Sequence, residues 1–381
     1  MGRFMSSPAR RVDWDEDGRP CQARWRSLAG LPPPRRVVLA DDRMPADAAF
    51  RLAAEGTALL WRGDFHNARQ LLQAMARRID RKSRQSAPAG VIAAEDFHRY
   101  RLAQAQRART LGMVLLPFDA DFHIPLRRAP EVRDACLAAH GPVDEGFVAS
   151  LRELQGLIGA YEWRKKGVPV PALEARIHPH YGVFAPVRGE YVDLVAKAPL
   201  PTLCRMAFDI GTGTGVLAAL LARRGASRVV ATDNDARAMT CAAENIRNLG
   251  LAGRVEVVNA DLFPAGQADL IVCNPPWLPG RAGTPLERAV YDPDSRMLQG
   301  FIAGIRSHLA PRGEAWLILS DLAEQLGLRS RESLLAAFER AGLRVAGRLD
   351  ARPVHSRAAD PGDALHAARS RETTSLWRLE A

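Results

Sequence analysis

Between Arg205 and Arg223 the chain passes from a short apolar run, RMAFDI, through the turn Gly211-Thr212-Gly213-Thr214-Gly215 into an unbroken apolar stretch, VLAALLAR. A strand that turns sharply through three glycines into a buried helix is the ligand-binding corner of a doubly wound α/β sheet. Glycine tolerates positive φ and lets the backbone approach a ligand with no Cβ in the way. Further strand-like runs follow at Arg228–Thr232, Val255–Val258 and Asp269–Cys273, each separated by a segment long enough for a crossover helix. This alternation predicts a parallel sheet with helices on both faces.

The glycine spacing is GxGxG, not the GxGxxG expected of pyrophosphate binding. Asp209 stands two positions before the first glycine. A carboxylate there suits a cationic amino-acid moiety and repels a pyrophosphate, which favours S-adenosylmethionine over NAD. Asp233 ends the second strand, where a carboxylate accepts hydrogen bonds from ribose hydroxyls. Asp261 follows the third, placed for an adenine amino group. The competing reading for any one of them is a helix N-cap or turn former. Three in register after one glycine turn weigh against it.

The fourth strand ends at Asn274-Pro275-Pro276-Trp277, with 58 residues between it and Gly215. An amide or nucleobase amino nitrogen has a delocalised lone pair and is a poor nucleophile. The Asn274 side-chain oxygen and the Pro275 carbonyl can accept its two N–H hydrogens and free that lone pair for in-line attack on a methyl sulfonium. Proline fixes φ and carries no N–H, so Pro275 and Pro276 hold the carbonyl rigidly. The Trp277 face can stack on a planar group. Catalysis of this kind is positioning and preorganised electrostatics, with no dedicated general base. Alone, N-P-P is a strong turn former.

Asp209 to Gly215, Asp233, Asp261 and Asn274 to Trp277 together resemble the class I S-adenosylmethionine-dependent methyltransferases of the "small domain" group. That group includes HemK-type release-factor glutamine methyltransferases and several ribosomal RNA N-methyltransferases. The resemblance spans about residues 177–319. It implies that Gly211, Thr212, Gly213, Thr214, Gly215 and Asp233 bind S-adenosylmethionine and that Asn274 to Trp277 hold the acceptor nitrogen. It also implies a seven-stranded, mostly parallel Rossmann-like sheet closed by a reversed hairpin, here Leu343–Leu349 and Thr373–Leu379. The fourth tetrad position is more often Tyr or Phe in the group, and here it is Trp277. In related enzymes the region equivalent to Ile177–Phe184 covers the site, so His180, Tyr181 or Phe184 would touch substrate or else pack an interface.

The proline-rich stretch Val168-Pro169-Val170-Pro171 reads as a connector between residues 1–175 and the catalytic domain, 176–381. Residues 1–175 carry 28 basic and 21 acidic side chains, against 25 and 22 in the remainder. Phe65, Ala68, Leu72, Met75, Ala76 and Ile79 recur at helical spacing after an Asp64 cap, and a second basic helix is expected over Glu95–Leu111 after a loop at 81–90. These features predict a mainly helical substrate domain. Leu116–Phe122 and Ile124–Arg128 read as ordered loop or short strand packed between the domains. The interval 351–372 reads as a surface loop.

Eleven basic and four acidic residues lie between Arg62 and Arg109, a surface suited to phosphates. Since 49 of the 53 basic residues are arginine in an alanine-rich chain, codon bias offers a second account, with solvated arginine faces and no polyanion. The five cysteines form no CxxC pair, and His178 and His180 lack ligand spacing, so neither a metal site nor a disulfide framework is expected. No run approaches a membrane span, and MGRFMSSPARR lacks a secretory apolar core, so a cytoplasmic chain is expected. The acceptor expected is a base of rRNA or tRNA; the rival is a glutamine of a translation factor or ribosomal protein. A nicotinamide oxidoreductase and a non-catalytic RNA-binding protein with a relic cofactor fold are the readings from other classes.

Overall fold

The computed structural model describes residues 10–84, 94–187, 189–352 and 365–381, with only the backbone at 82–84. The chain's first residues through Ala9, most of the expected loop at 81–90 and the middle of the 351–372 interval lie outside the described residues. Two compact units divide the chain: residues through 88 with 99–162, and 89–98 with 163–381.

The first unit is built on a sheet, which corrects the expectation of a mainly helical domain. Its strands are β1 (Arg11–Glu16), β2 (Arg19–Trp25), β3 (Arg36–Ala40), β4 (Thr57–Trp61), β5 (Val114–Phe118) and β6 (Phe147–Ser150), in the order β1-β2-β6-β5-β4-β3. The helices are α1 (Ala46–Ala54), α2 (Phe65–Arg84), α3 (Ala94–Leu111), α4 (Arg133–His140) and α5 (Leu151–Lys166), the first residues of α3 and the last of α5 falling in the second unit. Every residue of β4 is buried, so both faces of this interior strand are covered and its side chains do not alternate in polarity. A short continuous apolar run of this kind cannot be told from helix by periodicity. Leu116–Phe118 of the segment expected between the domains likewise belong to β5, paired with β4 and β6 inside this sheet, and the residues from Asp119 to Arg128 are loop. Phe118 stacks on its cross-strand partner Phe147 at 4.7 Å between ring centroids, which pins that register.

The helical stripe on α2 is present. Phe65, Ala68, Leu72 and Met75 are buried, and Asp64 Oδ1 accepts the His66 N–H at 2.8 Å at its start. The helix continues through Arg84, so the first four residues of the expected loop are helical.

In the second unit, the connector expected at Val168–Pro171 is partly strand: β7 (Val168–Val170) pairs antiparallel with β8 (Ala175–Ile177). Then come α6 (Glu190–Lys197), β9 (Met206–Ile210), α7 (Val216–Arg223), β10 (Arg228–Asp233), α8 (Ala236–Asn248), β11 (Val255–Asn259) and β12 (Ala268–Cys273). A two-residue pair, β13 (Leu278–Pro279) and β14 (Tyr291–Asp292), precedes α9 (Arg296–His308) and β15 (Leu309–Ser320). The chain closes with α10 (Leu322–Gln325), α11 (Arg331–Arg340), β16 (Arg344–Ala351), α12 (His366–Arg369) and β17 (Thr374–Glu380).

The seven-stranded sheet has the order β11-β10-β9-β12-β15-β17-β16. The first five strands run parallel, and β17 enters antiparallel beside β15 and pairs antiparallel with β16. The expected reversed hairpin is therefore present. Strand residues divide between two cores with period two. Ala207, Val229, Ala231, Leu270 and Val272 face α6 and α7, while Phe208, Ile210, Ile271 and Cys273 face α9 and α11. Leu365 and Ala368, inside the expected surface loop at 351–372, are buried around α12. Among the described residues no helix is long and apolar enough to cross a membrane.

Candidate active site

The strand order reverses between β9 and β12, and ligands of open α/β sheets bind at such a switch, beyond the carboxyl ends of the strands. A cavity of about 660 Å³ opens there, within the second unit. Its wall brings together Asp209, Gly211, Thr212, Gly213, Thr214, Asp233, Asp261 and all of Asn274 to Trp277. Of the residues expected at the site, Gly215 does not line it. Gly215 instead begins α7 at φ 81°, where a Cβ would come within 3.2 Å of the Ala242 backbone.

The turn is fixed from three directions. Gly211 and Gly213 take φ of 71° and 54°, conformations that favour glycine. Thr212 donates its backbone N–H to the Thr232 carbonyl at 2.8 Å, and Gly213 donates its own to Asp233 Oδ2 at 3.1 Å. Beneath the turn, Asn245 of α8 donates from its side chain to the Thr214 carbonyl at 3.0 Å.

Asp209 is buried, and its Oδ2 accepts from the Thr212 hydroxyl at 2.6 Å and from the Ala218 N–H at 3.0 Å. Burial nonetheless pushes its pKa up to about 6. Burial also raises Asp233, against the backbone N–H groups of Asp235 and Gly213 that it accepts. Asp261 is more open: Oδ2 meets Arg296 Nη2 at 2.6 Å and Oδ1 accepts from Asn234 at 3.3 Å.

At the other end, Asn274 Oδ1 accepts the Trp277 indole N–H at 2.9 Å. Trp277 is partly buried against both cores of the sheet. Of the three covering residues weighed from sequence, Phe184 lines the cavity. His180 binds Glu244 Oε2 at 2.6 Å, while Arg164 holds the same carboxylate at 2.8 Å.

Sequence reasoning missed Tyr191, Arg288, Tyr291, Asp292, Arg296 and Met297, which also line the cavity. Three of the six, Arg288, Tyr291 and Asp292, come from the segment between β13 and α9, where no periodicity marks them, and Arg296 and Met297 open α9. Asp292 gave a signal, standing shortly before the apolar periodicity of α9. It is buried and accepts the Met297 and Leu298 N–H groups at 3.1 Å each, tying this segment to the helix.

A family model described as "Methyltransferase small domain" matches residues 174–341. Among curated relatives, a tRNA1(Val) (adenine(37)-N6)-methyltransferase of Shewanella halifaxensis is 32% identical over 183 residues, 45% of this chain and 70% of that protein. A release factor glutamine methyltransferase of Cereibacter sphaeroides is 33% identical over 154 residues, 35% of this chain and 51% of that one. A ribosomal protein L11 methyltransferase of Pelotomaculum thermopropionicum is 51% identical over 69 residues, 18% of this chain and 22% of that one. The chain thus spans about half or less of the length of these last two relatives. The matched segment holds the glycine turn and the Asn274 tetrad, the motifs that carried the resemblance. By that match, and by a relative covered over most of its length, the chain belongs to the methyltransferase small domain family.

Proposed function

We propose that this chain is an S-adenosylmethionine-dependent N-methyltransferase that modifies a planar amino or amide nitrogen, a base of rRNA or tRNA in the first instance. The observation that carries the reading is the single cavity into which the glycine turn and the Asn274 tetrad both open. At about 660 Å³ it falls within the usual range for ligand pockets.

The residues present fit the donor. Asp209 and Asp233 suit an ammonium and a ribose, and Asp261 an adenine amino group. A Cβ built on Gly213 would meet nothing within 4 Å, so the turn faces open space there. Bound there, the donor supplies an electrophilic methyl on a sulfonium. Asn274 Oδ1 and the Pro275 carbonyl accept the N–H hydrogens of the acceptor, and the Trp277 ring stacks on it. As the new C–N bond forms the C–S bond breaks, leaving a thioether, and the nitrogen releases one proton to water.

Two features favour RNA. Arg288 and Arg296 line the cavity yet keep 69% and 77% of their side chains exposed, where guanidinium groups meet phosphate. A relative covered over 70% of its length is named for a tRNA adenine. The rival acceptor, a glutamine in a translation protein, is favoured by the release-factor relative, since the tetrad grips either planar group. We assign acceptor recognition to residues 1–175 and place the reaction in the cytoplasm. Incubating the chain and labelled S-adenosylmethionine with RNA and protein fractions of cells lacking it decides between acceptors. Label in RNA supports the first reading, label in protein the second, and label in neither contradicts both.

A further inference from the structure

We propose that Trp277 is a positioning residue for Asn274, acting through its indole N–H and not through its ring alone. This rests on the reading of Asn274 as the group that grips the acceptor nitrogen. An indole nitrogen only donates, so the 2.9 Å bond to Asn274 Oδ1 fixes which end of the amide lies there. Asn274 follows the buried Cys273 at the end of β12 and precedes two prolines with fixed φ. Its backbone is therefore held on both sides, and its side-chain torsions are what remains to be set. Trp277 packs against the cores on both faces of the sheet, so the clamp is itself anchored.

The consequence concerns donors and acceptors. An amide oxygen has two lone pairs; the indole takes one and the other is left for the acceptor N–H. With the amide turned over, its –NH2 would face the acceptor –NH2, donor against donor, and attack would stall. Phenylalanine at this position has no donor. Tyrosine carries its hydroxyl at the far end of the ring, away from where the indole N–H lies. The tryptophan that sets this chain apart from the usual tetrad thus keeps Asn274 in the productive orientation.

The test replaces Trp277 in the full chain by 3-benzothienylalanine, which keeps the bicyclic ring and exchanges N–H for sulfur. Methyl transfer from labelled S-adenosylmethionine into total RNA and protein of cells lacking this chain gives kcat and KM, and calorimetry gives donor affinity. A net hydrogen bond of ordinary strength corresponds to a fall in kcat of roughly three- to tenfold, with donor affinity unchanged and acceptor KM within about twofold. In the Asn274→Ala background the same replacement should change nothing further. The Trp277 indole 15N–1H resonance, assigned with Trp277→Phe, should move in Asn274→Ala. Full turnover by the benzothienylalanine chain, or an unmoved resonance, overturns the inference while leaving the functional reading intact. Full turnover by Asn274→Ala instead removes both.

Discussion

The Thr212 hydroxyl donates to Asp209 Oδ2 at 2.6 Å inside the glycine turn, stabilising a carboxylate whose pKa burial still pushes up to about 6. The sign of the resulting pH dependence follows. Above about pH 6 Asp209 is ionised and can hold the donor's ammonium. Below it, a proton competes for the same site, so donor affinity should weaken as pH falls. Calorimetric titration with S-adenosylmethionine from pH 8 downward should show this. In Thr212→Val the carboxylate loses a bond that favours its charge, and the weakening should begin at higher pH. Asp209→Asn should bind weakly with little pH dependence over that range. An unchanged profile in Asp209→Asn would assign the titration to another group.

Asn274→Ala should lower turnover by roughly a hundredfold or more, the scale seen when a preorganised polar group is removed from a reacting centre. Donor affinity should stay within about twofold, because the hydrogen bonds that hold Asp209 and Asp233 run to Thr212, Ala218, Gly213 and Asp235 and none of these passes through Asn274. Single-turnover rates and calorimetry separate the two effects. A large loss of donor affinity with the chemical step preserved would contradict the division of the cavity into donor and acceptor ends.

Arg296 pairs with Asp261 at 2.6 Å, on the carboxylate assigned to the adenine. An exposed pair of this kind is worth about 0–1 kcal/mol, so Arg296→Ala should tighten donor binding by up to about fivefold. Asp261→Ala should weaken it by roughly three- to tenfold. Weakening in both variants would mean that the guanidinium itself contacts the donor.

Binding of unmodified tRNA transcripts should depend steeply on salt. An RNA contacting four to six arginines gives a log–log slope of roughly −3 to −4. Filter binding between about 50 and about 200 mM salt measures it, and Arg288→Glu should flatten it by at least roughly 0.7. A flat response would direct attention to the protein acceptor.

The catalytic half was legible because two signals coincide there. Residues such as Phe208 and Ile271 face one core while Ala207 and Leu270 face the other, so these strands read as continuous apolar runs, as doubly covered strands do. The glycines and the tetrad then mark the strand ends. In the first unit β3 to β6 are short and apolar, but no motif punctuates them, and the helical stripe on α2 dominates the pattern. One signal was available: Asp17-Gly18, at φ 56° and 74°, is the two-residue turn of the β1–β2 hairpin, a dipeptide typical of such turns. The cavity wall from Arg288 to Met297 was illegible for a different reason. Apart from the helix-start signal of Asp292, it is carried in by the two-residue pair β13–β14, a contact that only the folded chain reveals.

In the proposed reaction, donor sulfur and acceptor grip face each other across one cavity, and crystals soaked with S-adenosylhomocysteine decide whether they do. The amino-acid end is expected at Asp209, the ribose at Asp233, and the sulfur turned toward Asn274, with space between for one methyl group and a nitrogen at a near-attack separation of about 3–3.5 Å. A ligand bound with its sulfur facing away from Asn274, or outside this cavity, would contradict it.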